Sequence, residues 1–129
     1  MPTKLVLEEE SYKVLGACIK VHKQLGNGFS EEVYQEALIR EMHEAEIPFE
    51  HEKKLSIYYN GTKLNTYLTA DFVCFQKIMI EIKCLNFINQ NAKRQAVNFL
   101  KSTNMEVGLL INFGERSLTW KRLVHTPRE

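Results

Sequence analysis

Between Ala70 and Cys84, two apolar, β-prone runs either side of Phe75-Gln76-Lys77 are interrupted by three charged side chains: Asp71, Glu81 and Lys83. Ile78, Ile80 and Ile82 alternate with Met79, Glu81 and Lys83, and side chains along a strand alternate faces. Glu81 and Lys83 therefore share a face, about 6 to 7 Å apart. The preceding run, Thr69 to Phe75, also has strand character, and Phe75-Gln76-Lys77 leaves room only for a hairpin, so the two runs should pair antiparallel. A turn centred on Gln76 sets Asp71 directly opposite Glu81, with Lys83 next along. A two-residue turn sets Asp71 against Ile80 or Ile82 instead, because a one-residue slip exchanges faces. The first register is expected, since it gathers all three charges.

Two carboxylates at that separation repel, and in a half-buried site each tends to hold its proton unless positive charge is near. A divalent cation answers this best. Hard ions such as Mg²⁺ take oxygen ligands, often one or two carboxylates, with water and phosphate oxygens completing the shell, and they make water a better nucleophile. Lys83 could hold or deprotonate that water, or stabilise charge growing on a phosphate. The plain alternative is a strand pair carrying a surface salt bridge.

Asp71, Glu81 and Lys83 resemble the D…(D/E)-x-K signature of the PD-(D/E)XK nuclease superfamily, with Ala70 at the nominal proline position. Gly28-Phe29-Ser30-Glu31-Glu32-Val33-Tyr34 fits Gly-x-x-Glu-x-x-Tyr, the motif for which the small GxxExxY proteins are named. Val107-Gly108-Leu109-Leu110-Ile111-Asn112-Phe113-Gly114 is similar to the core strand of the same family. The resemblance runs from about Glu8 to Val124. It implies a metal-dependent phosphodiester hydrolase acting on DNA or RNA, with Asp71 and Glu81 binding Mg²⁺ or Mn²⁺ and the Ile82 carbonyl as a further ligand. Lys83 would position or activate the attacking water, and Glu31 would approach the metal as an extra acid. In exonuclease-like branches a Q-x-x-x-Y pair on the following helix assists the site. Here Gln95 keeps the glutamine and could orient water or phosphate, while Phe99 replaces the tyrosine.

The elements that must position these residues can be traced from periodicity. Glu8 to Leu25 predicts a helix, because Val14, Cys18, Val21 and Leu25, with Leu15, Ile19 and His22, form one apolar stripe. His22 on that stripe is expected to be a packed histidine. Leu25-Gly26-Asn27-Gly28 breaks the helix. Ser30 can cap a second helix to about Glu46, with Val33, Ala37, Leu38 and Met42 inward and Tyr34 in packing. Glu31 and Glu32 in its first turn suit the helix dipole whatever the function. His43, Glu44, Glu46, Glu50, His51 and Glu52 lack a tight metal spacing, and with Pro48 among them they divide between a helix end and a loop as a solvated acidic face.

Leu55 to Tyr59, Asn60-Gly61 and Lys63 onward carry the strongest hairpin signal in the chain, leading into the Asp71 strand. After Lys83, Asn89 to Ser102 predicts a helix with Ala92, Ala96, Phe99 and Leu100 inward, then Val107 to Phe113 a buried strand parallel to the Glu81 strand. Asn91, Gln95 and Asn98 share one polar side of that helix, and Lys93, Arg94 and Lys101 lie on others. Leu118 to Val124 adds a last strand, and His125 to Glu129 is tail. The expected fold is α/β: the α-β-β-β-α-β core of restriction-endonuclease-like proteins, with a mixed central sheet and an extra N-terminal helix.

At 129 residues the chain is expected to form a single domain, residues 1–129, without disulfides or a structural metal. No apolar run reaches a membrane span, and the opening residues lack a signal-peptide pattern, so a cytoplasmic protein without a membrane partner is expected. Cys18, Cys74 and Cys84 show no C-x-x-C spacing and are expected to be reduced core thiols. An enzyme using Cys74 or Cys84 with histidine has no supporting spacing.

The net charge of +1 hides an asymmetry. Residues 1–52 carry 11 acids and 5 Lys/Arg, whereas residues 53–129 carry 5 acids and 12 Lys/Arg. The candidate site thus lies in the basic half, which favours a polyanion such as nucleic acid. Tyr58, Tyr59, Tyr67 and Trp120 could stack bases, although strand tyrosines more often pair across strands. The rival expectation is a non-catalytic nucleic-acid- or protein-binding module that keeps the nuclease fold. A chain of this size would gain specificity from a homodimer or a protein partner.

Overall fold

The apolar stripe near the N-terminus forms α1 (Glu8–Leu25), which buries Val14, Leu15, Cys18, Val21 and His22. The computed structural model describes residues 7–127, so residues 128 and 129 of the expected tail lie outside the described residues. Gly26 ends α1 at φ 71°, a conformation that costs glycine little, and its amide donates to the His22 carbonyl at 2.7 Å. His22 is packed as expected: its Nε2 lies 2.9 Å from the Glu115 carbonyl oxygen.

α2 (Glu31–Glu44) follows an extended Ser30. The Ser30 side chain makes no capping bond, contrary to expectation. Its carbonyl instead accepts from the Val33 and Tyr34 amides at 3.1 and 3.4 Å. The inward stripe runs through Tyr34, Leu38 and Met42 at four-residue spacing. Val33, expected inward, is exposed, because it sits about 100° around the helix from Tyr34.

The sheet comprises β1 (Phe49–Tyr59), β2 (Thr62–Cys74), β3 (Ile78–Lys83), β4 (Val107–Asn112) and β5 (Thr119–Val124), with α3 (Gln90–Ser102) between β3 and β4. Strand order follows the chain, β1-β2-β3-β4-β5. Only β3 and β4 run parallel, which the intervening helix allows, and the other neighbours are antiparallel. Asn60 and Gly61 have φ of 51° and 77°, as a type I′ hairpin requires. At the β2–β3 turn Cys74 pairs with Ile78, Val73 with Met79 and Phe72 with Ile80, so the turn is centred on Gln76 as expected. Phe75 and Gln76 take positive φ to close it, and the Lys77 amide donates to the Cys74 carbonyl at 3.1 Å.

β1 begins six residues earlier than its apolar pattern suggested. Glu50 and His51 are strand residues rather than loop, because the apolar end of β2 takes them as partners through Val73 and Phe72. Ile78, Ile80 and Ile82 pack with Phe72 and Ile111 against α1 and α2. Met79 and Leu110 belong to smaller clusters with Leu100, Ala92 and Ala96 of α3 on the other face. Each large side chain removed from water in these layers contributes about 1.5–3 kcal/mol. Among the described residues, no helix is long and apolar enough to cross a membrane.

Candidate active site

Beyond Phe72 and Ile80 the β2–β3 ladder stops, and carboxylates take its place. The Asp71 amide donates to Glu81 Oε2 at 3.2 Å, and the Ile82 amide donates to Asp71 Oδ2 at 2.7 Å. The two strands fork at this rung. The β1 side is disturbed at the same level: pairing skips from His51–Phe72 to Lys53–Ala70, and Glu52 has φ 53°. A non-glycine residue in the left-handed region is strained, and such strain concentrates at functional positions. The reciprocal bonds engage one oxygen of each carboxylate, leaving Asp71 Oδ1 and Glu81 Oε1 for other partners.

Alternation along β3 puts Ile80 and Ile82 into the α1/α2 core and Glu81 and Lys83 on the α3 side. Glu81 is 9% exposed. Burial, then the neighbouring Asp71 charge, pushes its carboxyl up to about 7, with the Asp71 amide and Lys83 acting in the opposite direction. Asp71 is also raised by burial, against the opposing effects of the Ile82 amide, Lys83 and His51. Burial and mutual repulsion thus disfavour the charged form of both carboxyls, and Lys83 offsets this only in part.

Glu31 reaches the same place from α2. Burial raises its carboxyl, Lys83 and the Cys84 amide lower it, and Asp71 raises it. Its position depends on a corner that joins two distant motifs. The Tyr34 hydroxyl donates to the Gly26 carbonyl at 2.5 Å and accepts from the Phe29 amide at 3.3 Å. The Tyr34 ring stacks on Phe113 at 4.6 Å between centroids, and Asn27 Nδ2 donates to the Gly114 carbonyl at 3.2 Å. The N-terminus of α2 is thereby docked on the end of β4.

That end of β4 also fixes the chain just after Lys83. The Phe113 amide donates to the Lys83 carbonyl at 2.8 Å. Asn112 is fully buried: its Oδ1 accepts from the Leu85 amide at 2.7 Å, and its Nδ2 donates to the Leu85 carbonyl at 2.9 Å and to Glu115 Oε2 at 2.8 Å. At Gly114 a Cβ would come within 2.3 Å of the Leu85 carbonyl oxygen, so the close approach requires glycine. Asn112 and Gly114 thus position Lys83 and Cys84. Their presence inside the third motif was the available signal, but no periodicity gives their partners.

Gln95 lines an open groove of about 460 Å³ together with Lys83, Leu85, Asn91, Asn98 and Phe99. The groove links the helix amides to Lys83, and Phe99 is partly buried beneath it. Glu52 and His51, expected to be part of a solvated acidic face, lie close enough to Asp71 to shift it in opposite senses. His51 is held by Gln35 Oε1 at 2.8 Å and lies over Phe72 at 4.9 Å. Cys18 and Cys74 are buried and Cys84 is partly buried. Burial pushes the Cys74 thiol up to about 12, so it stays protonated and unreactive at neutral pH.

Among the described residues no group of three or more His, Cys, Asp and Glu side chains is arranged to hold a metal. Tetrahedral zinc sites need such a group. Mg²⁺ does not, since one or two carboxylates with water and phosphate oxygens suffice. The donor set at the fork is of that kind: two carboxylates and the Ile82 carbonyl, which in an extended strand points to the same side as the Ile82 amide, toward Asp71. The oxygens therefore fit a hard divalent ion with an incomplete protein shell.

No functionally curated protein matches the sequence. A solved structure of SSO0001 is similar at 14% identity, covering 92% of this chain and 78% of its own, with a TM-score of 0.46. The family profile of the PD-(D/E)XK nuclease superfamily matches residues 8–123, from the first residue of α1 to the penultimate residue of β5. That match includes Glu31, the Asp71–Glu81 fork, Lys83 and Gln95. The chain belongs to the PD-(D/E)XK nuclease superfamily.

Proposed function

We propose that the protein is a nuclease that hydrolyses phosphodiester bonds of DNA or RNA with Mg²⁺ or Mn²⁺, and that within its superfamily it is of the GxxExxY type. The observation that carries this reading is the fork, where Asp71 and Glu81 replace a rung of the ladder beside Lys83 and Glu31. Asp71, Glu81 and the Ile82 carbonyl would hold the ion. When bound, such an ion offsets the two carboxylate charges and stabilises negative charge on the phosphate in the transition state.

The remaining work falls to the chain itself. Lys83 brings a positive charge to the carboxylates and the groove, where it orients the attacking water and stabilises the pentacovalent phosphate. Gln95 supplies an amide that holds water or a phosphate oxygen in line. Glu31, fixed to the Cys84 amide, adds acidity and an acceptor for the proton lost by water.

A second reading, a binding module without catalysis, is favoured by Phe99 in place of a hydroxyl-bearing tyrosine. A homodimer or protein partner is compatible with either. The deciding experiment offers labelled single- and double-stranded DNA and RNA with Mn²⁺ to the wild type, Asp71→Ala and Lys83→Ala. Cutting by the wild type that both variants lose supports the nuclease. Absence of cutting, with no Mn²⁺-dependent rise in thermal stability that Asp71→Asn removes, would select the binding module.

A further inference from the structure

A second open groove, of about 440 Å³, is lined by Phe87, Ile88, Leu118, Trp120 and Lys121. Phe87 is 63% exposed and Trp120 40% exposed. Single exposed aromatics need no explanation, but two that line one concavity form an unpartnered apolar surface. One short segment separates this groove from the candidate active site. Leu85 and Asn89 wall the Lys83 groove, and Phe87 and Ile88 between them wall the second. The segment is anchored at Leu85 by Asn112 and at Asn89, whose side chain accepts from the Ala92 amide at 2.8 Å and begins α3. Phe87 therefore projects from a tether with both ends fixed.

The chemistry of the two grooves differs from what a duplex needs. Tracking two phosphate backbones calls for a run of cations. The first groove instead carries amides, Asn91, Gln95 and Asn98, and its Arg94 is bonded to Asn91 Oδ1 at 3.1 Å. Amides suit base edges, and exposed rings suit base faces, which only an unpaired strand offers freely. Glu115 also lines the second groove, but its Oε2 is engaged by Asn112 Nδ2 and Thr119 Oγ1, and Lys121 beside Trp120 gives a cation for the backbone.

We propose that the Phe87–Trp120 groove is a base-stacking subsite for a single-stranded nucleic acid whose backbone passes Lys83 and crosses the 85–89 segment. The inference rests on the nuclease reading for its substrate class but is tested by binding alone. Trp120 is the single tryptophan of the chain, so its fluorescence reports on the groove directly. The test uses the wild-type protein in EDTA, which withholds the divalent ion that cutting would need, titrated with a short single-stranded DNA or RNA oligomer and with the duplex of the same sequence.

The expected result is quenching of Trp120 emission by the single strand and little by the duplex. Phe87→Ala should weaken single-strand affinity on the order of tenfold, and Phe87→Tyr should restore it, with unchanged thermal melting showing that the fold is intact. Equal quenching by duplex, or single-strand binding that leaves both the emission and the Phe87→Ala affinity unchanged, would overturn the proposal. Absence of nucleic-acid binding altogether would overturn it too, leaving the groove to a protein. Cleavage by wild type without quenching would sink the subsite and keep the nuclease; quenching without cleavage would do the reverse.

Discussion

The two faces of one sheet have different jobs. On the α1/α2 face, Ile78, Ile80 and Ile82 meet Leu38, Met42 and Tyr34 in a continuous apolar layer. On the α3 face the core breaks into two small clusters, and Glu81, Lys83 and an open groove occupy the rest. The strand β3 serves both, since alternate residues belong to opposite faces. The difference teaches that the sealed face contributes the stability that lets the other carry buried charge, a forked ladder and a left-handed Glu52.

If that division holds, substitutions on the two faces should separate activity from stability. The largest effect is expected for Lys83→Ala, which should slow cleavage on the order of 10²–10³-fold while urea unfolding hardly changes. A slow variant that is also markedly unstable would blur the contrast. On the sealed face, Leu38→Ala should cost about 2–5 kcal/mol of unfolding free energy, read by urea denaturation, since Leu38 is fully buried.

The buried carboxyl gives a sharper test with a defined sign. The folded value for Glu81, about 7, lies above the ordinary 4.5. As pH rises between those limits the unfolded chain releases its proton first, so stability falls with rising pH and stays lower above pH 7. The metal-free wild type should therefore be less stable at pH 8 than at pH 5, by a Glu81 contribution on the order of 2–3 kcal/mol. Glu81→Gln should remove most of that slope in paired urea titrations. A smaller slope should remain, because Asp71 and Glu31 are raised in the same sense. Saturating Mn²⁺ should restore wild-type stability at pH 8 and leave the Gln variant with little gain.

The smallest effect is expected at the corner that joins the faces. Tyr34→Phe keeps the ring on Phe113 but loses the hydroxyl bonds to Gly26 and Phe29, so it should cost about 1 kcal/mol. Cleavage should fall several-fold, because Glu31 is carried by the same corner. Unchanged cleavage in Tyr34→Phe would count against a role for Glu31.

Register at the fork was legible because three residues separate two strands and alternation allows one arrangement that gathers the charges. The helices were legible because their apolar stripes are long, and α1 coincides with its expected limits. Glu31 was legible only by resemblance, since no spacing rule brings a helix N-terminus to a strand 50 residues away. The placement of Glu52 and His51 near Asp71 depends on a backbone turned to φ 53° within β1, which alternation cannot foresee. Ser30 and Val33 went astray for a different reason: local preference was overridden by the docking of Tyr34. Asn112 and Gly114 were hidden because their partners are distant in sequence: Leu85 offers Asn112 only its backbone atoms, and Asn27 reaches only the backbone carbonyl of Gly114.

The Asn112 clamp on Leu85 also acts as a mechanical stop. By saturating both backbone groups of the residue two beyond the lysine, it isolates the reactive end of β3 from whatever follows. Residues 86–88 can then drift in length or composition while the carboxylates and lysine keep their geometry. Changes in that segment should therefore leave the arrangement of Asp71, Glu81 and Lys83 intact.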